Sequence, residues 1–158
     1  MKGFVRFTLV LASCVLMSCH IFKKEEDVQL EAVQTIQYKS GACFGSCPIF
    51  ECTITTDGLS TFSGRNFVDF EGDFTADVAP EIVQEWVQKA EAFQFFGLDK
   101  EYDGPVSDLP KKVTTITVGD QSHSVISRYG TPKELKTWEK AFTNFVLKEI
   151  DWKEAPAK

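Results

Sequence analysis

The 158 residues carry 17 lysines and arginines against 23 aspartates and glutamates, a formal net charge of −6. Neutralising phosphates with Lys and Arg supplies most of the affinity for nucleic acid, so an acidic chain without a basic stripe excludes nucleic acid as a partner. Fourteen phenylalanines and three tryptophans supply the core of one domain.

The chain opens MKGFVRFTLVLASCVLMSCH, in which Lys2 and Arg6 precede an uncharged apolar run. The run has signal-peptide length and is too short to span a bilayer. It ends at Cys19, with Leu16 three residues before and Ser18 just before. This resembles a bacterial lipoprotein signal, whose cysteine is diacylated on sulfur by palmitate-like chains. Residues 1–18 are therefore expected to be a signal peptide and Cys19 the lipidation site. Leu11, Ala12, Ser13 and Cys14 make a second local match, but cleavage there leaves too short an apolar run, because that region spans about 7–15 residues. An ordinary secretory signal with an incidental cysteine is the alternative. Acyl chains contribute about 0.8 kcal/mol per buried CH₂, enough in number to hold a domain at a membrane without a spanning helix. The resemblance implies lipid anchoring in the envelope of a Gram-negative bacterium, at the outer membrane, on its periplasmic or surface side. Removing residues 1–18 takes two basic residues and no acid, leaving a charge of −8.

Residues 19–32 are polar and charge-mixed and read as a flexible tether. Lys23, Lys24, Glu25, Glu26 and Asp27 are similar to the lysine-plus-acid signal that exports some lipoproteins to the outer surface in one group of Gram-negative bacteria. A solvated linker is the other reading of such a charge run.

One domain is expected over residues 33–152. A first strand over 33–39 is bounded by Ser40 and Gly41. A stronger one over 48–56 puts Phe50, Cys52 and Ile54 on one face and Glu51, Thr53 and Thr55 on the other. Asp57 and Gly58 mark a hairpin into 59–64. A two-residue turn would send Phe62 to the threonine face, whereas a three-residue loop with Gly58 left-handed sets it opposite Cys52, so the apolar pattern selects the longer loop. Residues 66–74 alternate Val68, Phe70 and Phe74 with Asp69, Glu71 and Asp73 and suggest a fourth strand. A helix begins near Pro80, with Ile82, Val83, Trp86, Val87, Ala90 and Phe93 as its apolar stripe and Gly97 as its end. Strands over 113–118 and 122–129 flank a turn at Gly119 and Asp120. A second helix starts at a capping box, Thr131 with Glu134, and buries Leu135, Trp138, Phe142, Phe145 and Val146. The order ββββαββα predicts an α+β fold, an antiparallel sheet with both helices packed on its apolar face. Residues 153–158 are expected to fray as a disordered tail.

Cys43, Gly45, Cys47, Pro48 and Phe50, then Asp57, Gly58 and Gly64, Tyr102, Asp108, Pro110, Pro132 and Leu135, resemble an uncharacterised bacterial domain family. That family is frequent in Gram-negative lipoproteins and carries a C-x-G-x-C-P-x-Tyr signature. The likeness covers roughly residues 36–150. Phe50 stands where the family has tyrosine. The resemblance implies domain boundaries and no activity.

Cys43 and Cys47 flank a short turn and can meet disulfide geometry in an oxidising envelope. Cys52 shares the apolar face of its strand and reads as a buried small hydrophobe. Two other chemistries remain open for Cys43 and Cys47. Their C-x-x-x-C-P run is similar to the copper-binding segment of thioredoxin-like envelope chaperones, with His123 as the available third ligand. Thiol exchange is the other, though it requires a cation or helix N-terminus that depresses a thiol pKa. Asp99, Glu101, Asp103 and Gly104 imitate the start of a calcium loop, with Pro110 where the bidentate glutamate belongs. Asp69, Glu71 and Asp73 place three carboxylates on one expected strand face. With His20 in the tether and His123 alone in the domain, no serine–histidine–acid set arises, and no catalytic residue, resident metal or cofactor is nominated. The expectation is a lipid-anchored, non-catalytic domain that binds or stabilises an envelope protein, with an inhibitor or immunity-type lipoprotein as a variant of the same idea.

Overall fold

Alternating side chains build most of the molecule. The computed structural model describes residues 32–156. Its strands are β1 (Gln34–Ser40), β2 (Ile49–Thr55), β3 (Ser60–Asn66), β4 (Gly72–Ala76), β5 (Glu101–Tyr102), β6 (Lys112–Val118), β7 (Gln121–Ser127) and β8 (Lys153–Glu154). Its helices are α1 (Pro80–Glu91) and α2 (Lys133–Lys148), with a 3₁₀ turn at Phe95–Gly97. All eight strands form one open sheet in the order β5-β7-β6-β1-β2-β3-β4-β8. Every neighbouring pair is antiparallel except β5 with β7. The fold is α+β.

The register aligns apolar side chains in rows across the sheet. Tyr38 pairs with Cys52, Cys52 with Phe62 and Phe62 with Phe74, while Thr114 and Val125 continue the row on the other side. Ile36, Ile54 and Ile116 form the next row. These faces are buried beneath the helices. From α2, Phe142 meets Tyr38 at 5.5 Å between ring centroids, and Trp138 stacks on Phe142 at 4.7 Å. From α1, Trp86 crosses Trp138 edge-on at 5.6 Å, and the Trp138 Nε1–H donates to the Trp86 carbonyl at 3.1 Å. Burying a ring of this size contributes about 1.5–3 kcal/mol, so this stack anchors both helices to the sheet.

One acid lies inside that layer. Glu139 is 2 % exposed and faces Lys112 at 3.4 Å. Its other oxygen accepts from the Ser127 and Thr114 hydroxyls. The buried carboxylate thus has a cation and two donors, which is what makes its burial tolerable.

Several sequence expectations are corrected. The β2–β3 register does place Phe62 opposite Cys52, but Gly58 does not take a positive φ; the loop is held by Asp57, whose carboxylate accepts from the Thr55 hydroxyl. Residues 66–74 are not one strand. The chain folds back after Asn66 through Phe67, at φ 57°, and β4 begins only at Gly72. The returning loop lays the Phe70 carbonyl directly on Gly64, a position that only a residue without Cβ can give. Helix α1 ends at Glu91 because Gln94, at φ 60°, turns the aromatic run so that Phe95 enters the core; Ile82 stays exposed. No capping box forms, since Pro132 itself occupies the cap with ψ 144° and leaves Thr131 a residue outside the helix. Residues 153–154 pair with β4 as β8, because Trp152 packs on Phe62 at 5.2 Å and delivers the chain to that edge. The short parallel strand β5 was also not anticipated.

Gly64→Ala is expected to lower stability by about 2–3 kcal/mol, because the added methyl collides with the Phe70 carbonyl and approaches Phe62 and Val68 to 2.9 Å. Glu139→Ala is expected to cost about 3 kcal/mol, and Glu139→Gln less, since the amide keeps an acceptor for Ser127 and Thr114. Urea denaturation midpoints of the two series measure both effects.

Candidate functional site

The register sends several loops to one end of the sheet. Ser40 pairs with Phe50 and with Lys112, Phe50 with Gly64, Gly64 with Gly72, and Lys112 with Ser127. Beyond this row lie the β1–β2, β3–β4, β5–β6 and β7–α2 connections. They carry four exposed apolar side chains: Phe44, Phe67, Leu109 and Tyr129. Phe44 is 91 % exposed, the furthest from any packing.

The β1–β2 loop is closed by the Cys43–Cys47 disulfide, with Cα atoms 5.8 Å apart, inside the usual range for such bonds. Gly45 sits between them at φ 150°, a conformation that side chains with Cβ avoid, and its N–H donates to the Cys43 carbonyl at 3.0 Å. The base of the loop is pinned as well. The Ser40 hydroxyl donates to the Pro48 carbonyl at 2.8 Å, and the Gly41 N–H donates to the Lys111 carbonyl at 2.9 Å. Phe44 is therefore presented from a braced backbone.

The neighbouring loops are braced by other means. Lys148 from α2 holds Asp69 beside Phe67. The Tyr129 ring lies against Gly104, and the Arg128 guanidinium donates to the Val106 carbonyl at 3.0 Å. Lys111 meets Glu101 at 3.6 Å and Asp103 at 3.3 Å, and Arg128 meets Asp103 at 3.4 Å. The Gly104 N–H, then Lys111 and Arg128, hold the Asp103 carboxyl below the usual carboxylate range.

These contacts settle the fate of the other candidate residues. Glu101 and Asp103, read as the start of a calcium loop, are instead countered by Lys111 and Arg128. Asp69, Glu71 and Asp73 do not share a strand face, because a turn carries the first two. Among the described residues, no three His, Cys, Asp or Glu side chains converge as a metal site. His123 pairs with Ile116, four residues along the strands from the Lys112–Ser127 row, or about 13 Å from the loop end. Its Nε2 lies 3.0 Å from the Leu98 carbonyl, and its ring meets Phe95 edge-on. It is a packed sheet residue that the fold does not bring to Cys43 and Cys47. Cys52 is a free buried thiol whose pKa is pushed well up by burial. Phe50 packs between Tyr38 and Phe62, at 5.7 and 5.4 Å, so it serves the core. Cys19 lies outside the described residues.

Two further concavities are present. A groove of about 1020 Å³ runs over the open sheet face, lined by Gln37, Thr53, Thr61, Thr75 and Thr115. Hydroxyl pairs such as Thr115 with Ser124, at 2.9 Å, satisfy part of that face. A smaller apolar trough of about 460 Å³ lies between the helices over Trp86, Phe93 and Trp138. Sequence reasoning singled out the cysteines and missed Phe44, Phe67, Leu109 and Tyr129. The one signal for Phe44 was its place as an apolar residue between the two cysteines of a five-residue turn. The others become exposed only through backbone turns that no local pattern announces.

Fold and loop end together define a small α+β domain with one open sheet face and a disulfide-closed β1–β2 loop. Residues 34–146 match the family described as a domain of unknown function, DUF6438, and the chain belongs to it. No curated protein and no solved structure matches the chain.

Of Cys43, Cys47 and Cys52, none is expected to be alkylated in the folded protein and only Cys52 in denaturant, as read by peptide mass mapping. Replacing both Cys43 and Cys47 with serine is expected to cost about 2 kcal/mol, as so short a loop predicts, with an unchanged far-ultraviolet spectrum.

Proposed function

We propose that this protein is a lipid-anchored component of the bacterial cell envelope whose domain acts by binding a protein partner through the loop end of its sheet. One observation carries the reading: Phe44, Phe67, Leu109 and Tyr129 stand exposed on loops that leave the same end. Scattered apolar side chains on a surface are ordinary, whereas four on loops that leave one end of a sheet favour an interaction surface there. The anchor is Cys19, acylated after removal of residues 1–18, and the outer membrane is the membrane it enters. The Cys43–Cys47 bond serves structure, holding the loop that presents Phe44. Its support for that role is positional, since the disulfide is remote from His123 and is followed by a strand.

The full-length chain is expected to fractionate with envelope membranes, and Cys19→Ser to appear in the soluble fraction. In gently solubilised membranes, native electrophoresis is expected to show the chain in an assembly larger than its own mass. Substituting Phe67 and Tyr129 together with serine should release it. Migration of the unmodified chain as a free monomer would overturn the partner reading, and membrane retention of Cys19→Ser would overturn the anchor.

A further inference from the structure

We propose that Phe44 is the anchor side chain of the loop end and inserts into an apolar, ring-sized pocket of a protein partner. This rests on the partner-binding reading above and adds the residue that dominates binding and the chemistry of the surface it meets.

Phe44 occupies the tip of a convex loop. At 91 % exposure it makes almost no contact with its own domain, so nothing in the fold explains an aromatic side chain there. Its backbone is nonetheless fixed from several sides. The disulfide joins its neighbour Cys43 to Cys47, the Gly45 N–H closes on the Cys43 carbonyl, the Ser40 hydroxyl closes the base of the loop on the Pro48 carbonyl, and the Gly41 N–H ties it to the β5–β6 loop. Ordering such a loop on binding therefore costs little, the condition under which one buried aromatic can dominate an interface. Energetic anchors of interfaces are typically aromatic rings seated in desolvated pockets and ringed by near-neutral contacts. Phe67, Leu109 and Tyr129 are exposed on loops that leave the same end of the sheet and are available as such contacts.

Charge favours a protein pocket over a lipid surface. The segment from Ser40 to Phe50 holds no charged residue, so the tip brings no lysine or arginine to an anionic headgroup. The flanking loops carry Asp69, Glu71, Asp103 and Asp108; Lys148 meets Asp69, and the loop cations Lys111 and Arg128 are already paired with Asp103. Without residues 1–18 the chain carries a net charge of −8, which anionic leaflets repel. The path of the chain agrees. β1 begins at Gln34, at the end of the sheet opposite the loops, so the covalent connection toward Cys19 and the Phe44 tip leave from opposite ends of the domain.

The test places a photo-reactive benzoylphenylalanine at position 44, and separately at position 59, in the full-length chain made in its natural host. Leu59 is also exposed but lies on the β2–β3 loop at the opposite end. The expected result is one discrete protein adduct from position 44 and none from position 59. That adduct should fall at least about tenfold when Cys43 and Cys47 are both replaced by serine, with circular dichroism confirming that the double variant is folded. With the partner so obtained, Phe44→Ala should weaken binding at least about thirtyfold, the scale of an interface anchor, and Phe44→Trp should retain it. An adduct from position 59 and not 44 overturns the Phe44 proposal and leaves partner binding standing through another surface. Silence at both positions overturns both. Adducts at both positions, or one at 44 indifferent to opening the loop, overturn the preorganised anchor. Sedimentation with mixed phosphatidylethanolamine and phosphatidylglycerol vesicles that Phe44→Ala abolishes would assign the tip to lipid and overturn the protein pocket.

Discussion

A sheet with one apolar face cannot stand alone in water, and here the contact between Tyr38 and Phe142 is where that face is covered. Tyr38 lies on the central strand β1, flanked by β2 and β6, and Phe142 lies midway along α2. The same phenylalanine stacks on Trp138 and meets Trp86, so one ring joins the sheet, α2 and α1. Burial pushes the Tyr38 hydroxyl well above the ordinary tyrosine pKa, and its bond to the Thr143 hydroxyl at 3.0 Å satisfies it as a neutral group. β8 forms because Trp152 docks on Phe62, and the 3₁₀ turn forms because Phe95 must enter the core beside His123.

The buried Glu139 imposes a second constraint, one of position more than of strength. It joins α2 to the row of sheet residues nearest the loop end, through Lys112 and Ser127. The carboxylate ties Lys112, Thr114 and Ser127 to α2 by directional bonds, which a hydrophobic residue of like size would not supply. Its partners pair with each other across β6 and β7, and the segments that leave this pair carry Arg128, Tyr129 and Lys111. Core and loop end are thus mechanically continuous.

That continuity bears on how the loop end functions. Most connections in a domain tolerate motion, but these are tied by a disulfide, by ion pairs and by backbone bonds between loops. The bracing is closest around Phe44, whose loop is closed by the disulfide and pinned at its base. Such preorganisation favours recognition of a shaped partner over adaptable contact with many.

Local patterns in the sequence were enough to determine the central hairpin, the β6–β7 turn and the apolar stripes of both helices. Each of these rests on a periodicity of two or 3.6, which a side chain expresses through its immediate neighbours. The register that sets Phe62 opposite Cys52 was legible for the same reason, because slipping by one residue would have turned every apolar side chain to water. The closeness of Cys43 and Cys47 in the chain allowed their pairing but left copper binding and thiol exchange open until the fold set His123 away from them. Tertiary structure alone decided the order of the strands, the turn at Phe67, the end of α1, the cap at Pro132 and the pairing of β8. The turn at Phe67 depends on the Phe70 carbonyl meeting Gly64 across the returning loop, and the end of α1 and the pairing of β8 on contacts between residues distant in sequence, Phe95 against His123 and Trp152 on Phe62. Exposure of Phe67, Leu109 and Tyr129 belongs to this second group, since a phenylalanine in a sequence reads as core until the fold shows that no neighbour covers it.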